Sequence, residues 1–167
     1  NLFAYTGAAT AAAAAAGASV CHVDASRGMV MQAKENARLS GLEASPIRYL
    51  VDDCKKFVER EIRRGNRYDA VIMDPPSYGR GPSGEVWKLE DNIDCFIKLA
   101  AEVLSSDPLF FLVNSYTTGL SPSVIKYIID TTDKLSGGIS EADELGLPVT
   151  ETKLMLPCGS AVRWQKD

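Results

Sequence analysis

This chain has few of the residues that mark metal, disulfide or membrane proteins. It holds one histidine, His22, and four cysteines (Cys21, Cys54, Cys95, Cys158) with no CxxC pair. That scatter gives a structural zinc site no ligand set, and it fits a reducing cytoplasm rather than a disulfide scaffold. No metal is therefore expected. No apolar run approaches the ~20 residues of a membrane-spanning helix. Positive charge is also scarce: 18 Lys and Arg stand against 22 Asp and Glu, for a net charge of −4. Such a balance excludes a domain that grips nucleic acid by charge alone, because phosphate contacts supply most of that affinity. There is no internal repeat and no visible signal peptide.

What is present is an ordinary globular composition, 46 % hydrophobic and 24 % charged over 167 residues. That length suits one domain over 1–167 with a sizeable core. The chain begins at Asn1 and its first strand starts abruptly, so we expect it to be the C-terminal part of a longer protein. Apolar runs alternate with helical patterns, the signature of an α/β fold built on a parallel sheet. Strands are expected at 2–5, 19–24, 47–51, 68–74 and 109–114. Helices are expected at 8–16, 26–39, 54–64, 86–104 and 121–132. Ser26 and Ser121 are the caps that open two of them, with Pro122 at a first helical position. Lys153–Leu156 and Ser160–Trp164, around Pro157-Cys158-Gly159, predict an antiparallel hairpin at the sheet edge, whereas Gly137-Gly138 reads as a loop. The fold class expected is a doubly wound Rossmann-like α/β sandwich, its sheet mostly parallel and of about seven strands.

Ligands of open α/β sheets sit outside the carboxyl ends of the strands. Standing there are Tyr5-Thr6-Gly7, Asp24, Asp52-Asp53, Asp74-Pro75-Pro76 and Asn114-Ser115-Tyr116. An acid after one strand is often only a helix cap, but here strand after strand ends in small or acidic residues. Gly7 permits close backbone approach, yet the GxGxxG fingerprint is absent. That disfavours pyrophosphate binding, hence a nicotinamide-dependent oxidoreductase, and favours a cofactor without phosphates. Asp24 is placed to accept from a ribose diol, with a cap for the Ser26 helix as the plainer alternative. Asp53 is placed to accept from an adenine amino group. The stretch MDPPSYGRG at 73–81 is unusual for a strand end. Each proline fixes φ and removes a donor, so Pro75-Pro76 makes a stiff wall whose carbonyls are expected to face a substrate. Tyr78 is a platform on which a flat base could stack. Gly79 and Gly81 are expected to let the next loop move, with Arg80 near a phosphate.

These residues resemble the class I S-adenosylmethionine-dependent methyltransferases, and within them the bacterial large-subunit ribosomal RNA group that includes 5-methylcytosine enzymes. The resemblance rests on Phe3-Ala4-Tyr5-Thr6-Gly7, Val23-Asp24-Ala25-Ser26, Ala33-Lys34-Glu35-Asn36-Ala37, Asp52-Asp53 and Met73-Asp74-Pro75-Pro76-Ser77-Tyr78. Gly84-Glu85-Val86-Trp87-Lys88-Leu89 and Leu156-Pro157-Cys158-Gly159-Ser160 add to it. It implies that S-adenosylmethionine is the cofactor, with Tyr5, Thr6 and Gly7 around its methionine part. Asp24 would hold the ribose, Ala25 and Ser26 would lie beside the adenine, and Asp53 with the Cys54 backbone would face the adenine edge. Asp74, Pro75 and Pro76 would border the reacting methyl group and the substrate. The implied substrate is RNA, ribosomal RNA first, engaged with help from a segment upstream of residue 1.

The sequence departs from the pattern of enzymes that methylate exocyclic amines, where an aromatic directly follows the second proline. Here Ser77 intervenes, which counts against amino-group methylation. Ring-carbon methylation of cytosine usually needs a cysteine nucleophile. None adjoins Asp74-Pro75-Pro76, and Cys158, in a plausible loop, is better read as a bystander thiol. The basic stretch from Lys55 to Arg67 is read as a solvated helix end that suits the helix dipole. His22 is read as structural. Two other readings stay open: a non-catalytic cofactor- or RNA-binding scaffold, and methylation of a small molecule or protein. The oligomeric state is not legible.

Overall fold

Leu2 is the pivot of the sheet. In a computed structural model describing residues 1–80 and 86–167, it makes parallel bridges to Val23 on one side and to Met73 on the other. Those residues belong to β1 (Val20–Asp24) and β3 (Ala70–Met73). β2 (Ile47–Val51) pairs with β1 in parallel, and β6 (Phe110–Ser115) pairs with β3 in parallel. β8 (Met155–Lys166) then runs antiparallel to β6, and β7 (Gly138–Pro148) antiparallel to β8. The order across the sheet is β2, β1, Leu2, β3, β6, β8, β7. Four of its six neighbour pairings are parallel and two are antiparallel, so the sheet is mixed with its parallel part the larger.

The expected strand at 2–5 shrinks to that one bridged residue. Phe3 and Tyr5 have φ of 54° and 47°, so the chain leaves the extended state immediately after Leu2. α1 (Ala8–Ala15) and α2 (Arg27–Leu39) contact each other beside β1. α3 (Cys54–Arg64), α4 (Leu89–Ala101) and α5 (Pro122–Asp130) contact one another in sequence. β1 serves both groups. Val23 joins the large apolar core with Val58, Ile97 and Ile129, whereas His22 turns to Thr10 of α1 at 2.9 Å. His22 is buried, and its burial holds its pKa down, at about 4, so it stays neutral and structural.

The second edge of the sheet does end in a C-terminal antiparallel hairpin, but with other bounds than expected. The hairpin is not folded within 153–164. Pro157, Cys158 and Gly159 continue through one long strand, β8, and its partner is β7. Gly137 does turn, with φ of 83°, but Gly138 already opens β7. Register slips between Leu145 and Gly146, where Gly146 faces Pro157. A proline lacks the N–H for a regular ladder, and an irregularity of this kind accommodates it. The helix expected from residue 86 begins at Leu89 instead. Val86–Lys88 form β5, paired antiparallel with β4 (Tyr78–Arg80). The call on Gly81 as a hinge, and on the Arg80 side chain, lies outside the described residues.

Gly7 shows why a small residue opens α1. Its φ is 84°, and a Cβ there would stand 2.8 Å from the Ala33 Cβ of α2. Both the left-handed backbone and the overlap penalise a side chain. Gly7→Ala is expected to lower stability by about 3 kcal/mol. Denaturant unfolding within ~0.5 kcal/mol of the wild type would show that α1 and α2 can simply move apart.

Candidate functional site

The carboxyl ends of β1, β2 and β3 meet around a cleft of about 440 Å³. One end is built on Asp24. Its Oδ2 accepts the Tyr5 N–H at 2.9 Å, and its Oδ1 accepts the Ser26 N–H at 2.8 Å. The left-handed turn through Phe3 and Tyr5 brings that first N–H round to the carboxylate. So Asp24 does organise the start of α2, as a cap reading requires, and it also lines the cleft. Ser26 caps α2 through its hydroxyl, which accepts from the Met29 N–H at 3.4 Å. Asp53 caps α3 by accepting from the Lys56 N–H at 2.8 Å, while its neighbour Asp52 pairs with Arg60. With Arg64 bound to the buried Glu61, two arginines of the basic stretch are already engaged within the fold.

The other end is built on Asp74. Burial pushes its carboxyl pKa up, and a hydrogen bond from the Tyr116 phenol offsets part of that rise. Its Oδ1 is buried without a hydrogen-bond partner among the described residues. Burial likewise raises the Tyr116 phenol, and the Asp74 charge adds to it. Pro75 is buried behind Asp74 and Pro76 is exposed. The Pro76 carbonyl does not face a substrate. It accepts the Trp87 indole N–H at 2.7 Å. This bond fastens the β4–β5 hairpin across the proline wall, where Trp87 also meets Phe3 (ring centroids 5.5 Å apart) and Phe96 edge-on (5.7 Å).

The cleft gathers Tyr5, Asp24, Ala25, Ser26, Asp53, Asp74, Pro75 and Pro76. Thr6, Gly7, Cys54 and Tyr78 are not among its lining residues. The Thr6 carbonyl accepts from Asn36, and Gly7 packs on Ala33. The buried Cys54 thiol accepts the Phe3 N–H at 3.2 Å, and burial pushes its pKa up to about 12, which removes it as a thiolate. Tyr78 sits on β4 and is half exposed. Phe3, Gly79 and Trp87 line the cleft without having been anticipated there, and Tyr116 joins them from the strand end at which the sequence puts it. Tyr116 had a signal, its position just past a strand end. Trp87 had little, because the helical spacing that follows it absorbs it.

Among the described residues no group of three or more His, Cys, Asp or Glu could hold a metal ion, and no helix is long and apolar enough to cross a membrane. Residues 1–117 match the family of S-adenosylmethionine-dependent methyltransferases. A solved S-adenosylmethionine-dependent methyltransferase from Agrobacterium tumefaciens is 38 % identical and superposes with a TM-score of 0.89 over 100 % of this chain and 55 % of its own. The ribosomal RNA large subunit methyltransferase K/L of Shewanella baltica is 28 % identical over 89 % of this chain and 20 % of its own length. The ribosomal RNA large subunit methyltransferase K of Neisseria meningitidis is 29 % identical over 69 % of this chain and 33 % of its own. The chain thus spans a fifth to a third of the length of these curated relatives.

Proposed function

This chain belongs to the S-adenosylmethionine-dependent methyltransferases, and from that premise we propose that its methyl acceptor is a base of RNA, in ribosomal RNA. The observation that carries the reading is the one cleft that Asp24 shares with Asp74-Pro75-Pro76, lined also by Phe3 and Trp87. The names of the two ribosomal RNA relatives support the choice of acceptor.

The cleft fits a cofactor that carries a diol and a flat heterocycle but no phosphates. Asp24 offers fixed acceptors to hydroxyls, since its backbone bonds use one lone pair on each oxygen. Asp53, Ala25 and Ser26 border the region beside it, where the heterocycle would lie. Tyr5 covers the start of the cleft, and Thr6 and Gly7 support it from beneath through α1 and α2. The cofactor, when bound, supplies an electrophilic methyl group on a positively charged sulfur. This chain's own part is placement. Pro75 and Pro76 stiffen the wall, Trp87 locks it, and Asp74 presents a carboxylate at the acceptor end. In-line transfer depends strongly on such positioning. Tyr78, exposed on β4 next to the cleft-lining Gly79, remains the proposed stacking surface for a base.

At a net charge of −4 the 167 residues offer little to phosphates, so RNA affinity is proposed to come largely from chain preceding Asn1. Ribosomal RNA nucleosides from cells with and without the gene are expected to differ by one methylated base under mass spectrometry. Identical nucleoside profiles would overturn ribosomal RNA as the acceptor.

A further inference from the structure

A second cavity, of about 500 Å³, shares Tyr116 with the cofactor cleft. Two elements wall it: the end of β6 with the turn after it, through Ser115 and Thr117, and the β7–β8 hairpin, through Glu144, Cys158 and Ser160. It is tied to the acceptor end of the first cleft in two ways. The Thr117 hydroxyl donates to Ser77 Oγ at 2.7 Å, directly after the two prolines. The Tyr116 phenol lies within reach of the Asp74 charge, which adds to the rise in its pKa. Gly159 sets the Tyr116 ring in place, since a Cβ there would stand 2.6 Å from Tyr116 Cδ1 and 2.8 Å from the Ser115 carbonyl. Strand β8 therefore runs flat against the ring.

We propose that this second cavity receives the acceptor base, that Tyr116 is the partition between base and cofactor, and that Glu144 reads an exocyclic amine on the base. The inference rests on the methyltransferase reading above and extends it to the acceptor. The size lies within the range of small-ligand sites. The chemistry of the walls selects a base edge over a phosphate, because the described lining residues include four serine and threonine hydroxyls, the Tyr116 phenol and one carboxylate but no Lys or Arg. Serine and threonine hydroxyls both donate and accept, so they tolerate any edge. An ionised carboxylate only accepts, so Glu144 favours a base with an amino group, as acidic side chains do toward the cytosine amine. Uracil offers carbonyl oxygens at the equivalent place and is disfavoured. Cys158 donates to the Leu145 carbonyl at 3.4 Å and serves here as a reporter in the wall.

The test uses the full-length protein saturated with S-adenosylhomocysteine and treated with iodoacetamide, alkylation being mapped by mass spectrometry. Cys158 is half-buried, and the exposed Cys95 on α4 is the internal control. A single-stranded oligocytidine RNA is expected to slow Cys158 alkylation severalfold and leave Cys95 unchanged. Oligouridine should need about tenfold more RNA for equal protection, in line with one well-placed base contact. Glu144→Gln should erase that preference without changing S-adenosylhomocysteine affinity. Failure of both RNAs to protect Cys158, or equal protection by both, overturns the proposal. Calorimetry with S-adenosylhomocysteine, run first, reads the methyltransferase assignment separately. Loss of cofactor binding there would indict that assignment, and unprotected Cys158 with intact cofactor binding would indict the cavity alone.

Discussion

Replacing Asp24 with alanine is expected to weaken S-adenosylhomocysteine binding by roughly ten- to a hundredfold. A charge-assisted hydrogen bond contributes ~1.5–3 kcal/mol, and each 1.4 kcal/mol is a factor of ten. The geometry adds to that loss. The carboxylate is held by the Tyr5 N–H at 2.9 Å and the Ser26 N–H at 2.8 Å, so it would meet the proposed cofactor pre-oriented. Alanine releases both donors and loosens the left-handed turn at Phe3 and Tyr5. Asp24→Asn makes a sharper probe. One of its two positions becomes an NH2 group facing a backbone N–H, donor against donor, so asparagine is expected to lose nearly as much as alanine. If Asp24 were only a cap for α2, both variants would melt earlier yet bind with unchanged affinity once folded. Calorimetry alongside thermal melts separates the two cases. Tighter binding of NAD than of S-adenosylhomocysteine by the wild type would sink the assignment of this cleft.

Where the sequence was legible, local chemistry and tertiary demand agreed. Ile47–Val51 and Cys54–Arg64 are found at their expected bounds. The helix has a start and a stop written into it: Asp53 accepts from Lys56, and Gly65 takes φ of 72° just past the last turn. α2 is similarly framed by Ser26 and Gly41, with Val30, Ala33 and Ala37 buried along one face. β7 is the opposite case. It lies at the edge of the sheet and, among the described residues, pairs only with β8, so it has little need of an apolar face. Its sequence GISEADELGLP carries three acids and no run of β-branched residues. Charged edge strands of this sort resist unwanted pairing, and the same charges silence the alternation by which strands are read. Pro157 and Gly159 misled for a related reason. Both are turn formers in isolation, yet the long pairing with β7 carries β8 through them.

The site divides along the same line. Residues at strand ends were legible because the sheet itself places them, and Asp24, Asp53 and Asp74 share the cleft accordingly. Trp87 was not, because its position depends on the β4–β5 pairing that sets Gly79 opposite it. Its indole bond to the Pro76 carbonyl gives the two prolines a purpose the sequence did not disclose. Pro76 lacks an N–H, and its carbonyl is committed to Trp87, so the wall is rigid on both counts.

Asp74→Asn is expected to cut the rate of methyl transfer by about a hundredfold or more, the scale on which a positioned acid–base group acts. Cofactor affinity should change far less than in Asp24→Ala, since the proposed role of Asp74 is at the acceptor end. A contact made mainly in the transition state lowers the chemical rate without matching loss of ground-state binding. The buried Oδ1, unpaired among the described residues, is an acceptor with nothing yet to accept. Its pH behaviour supplies a second readout. Burial raises the Asp74 pKa above its ordinary value, so the ionised form is populated only above that raised value. The wild-type rate should therefore climb with pH through the raised value, and the asparagine variant should lack that acid limb. Stability runs the other way. The unfolded chain ionises first, near the ordinary aspartate value, so the folded wild type loses stability as pH rises from there through the raised pKa. Asp74→Asn escapes that loss and should be at least as stable as the wild type at neutral pH. A purely structural aspartate predicts the reverse pairing, a lowered melting temperature with normal single-turnover rates, and that result would retire the chemical role.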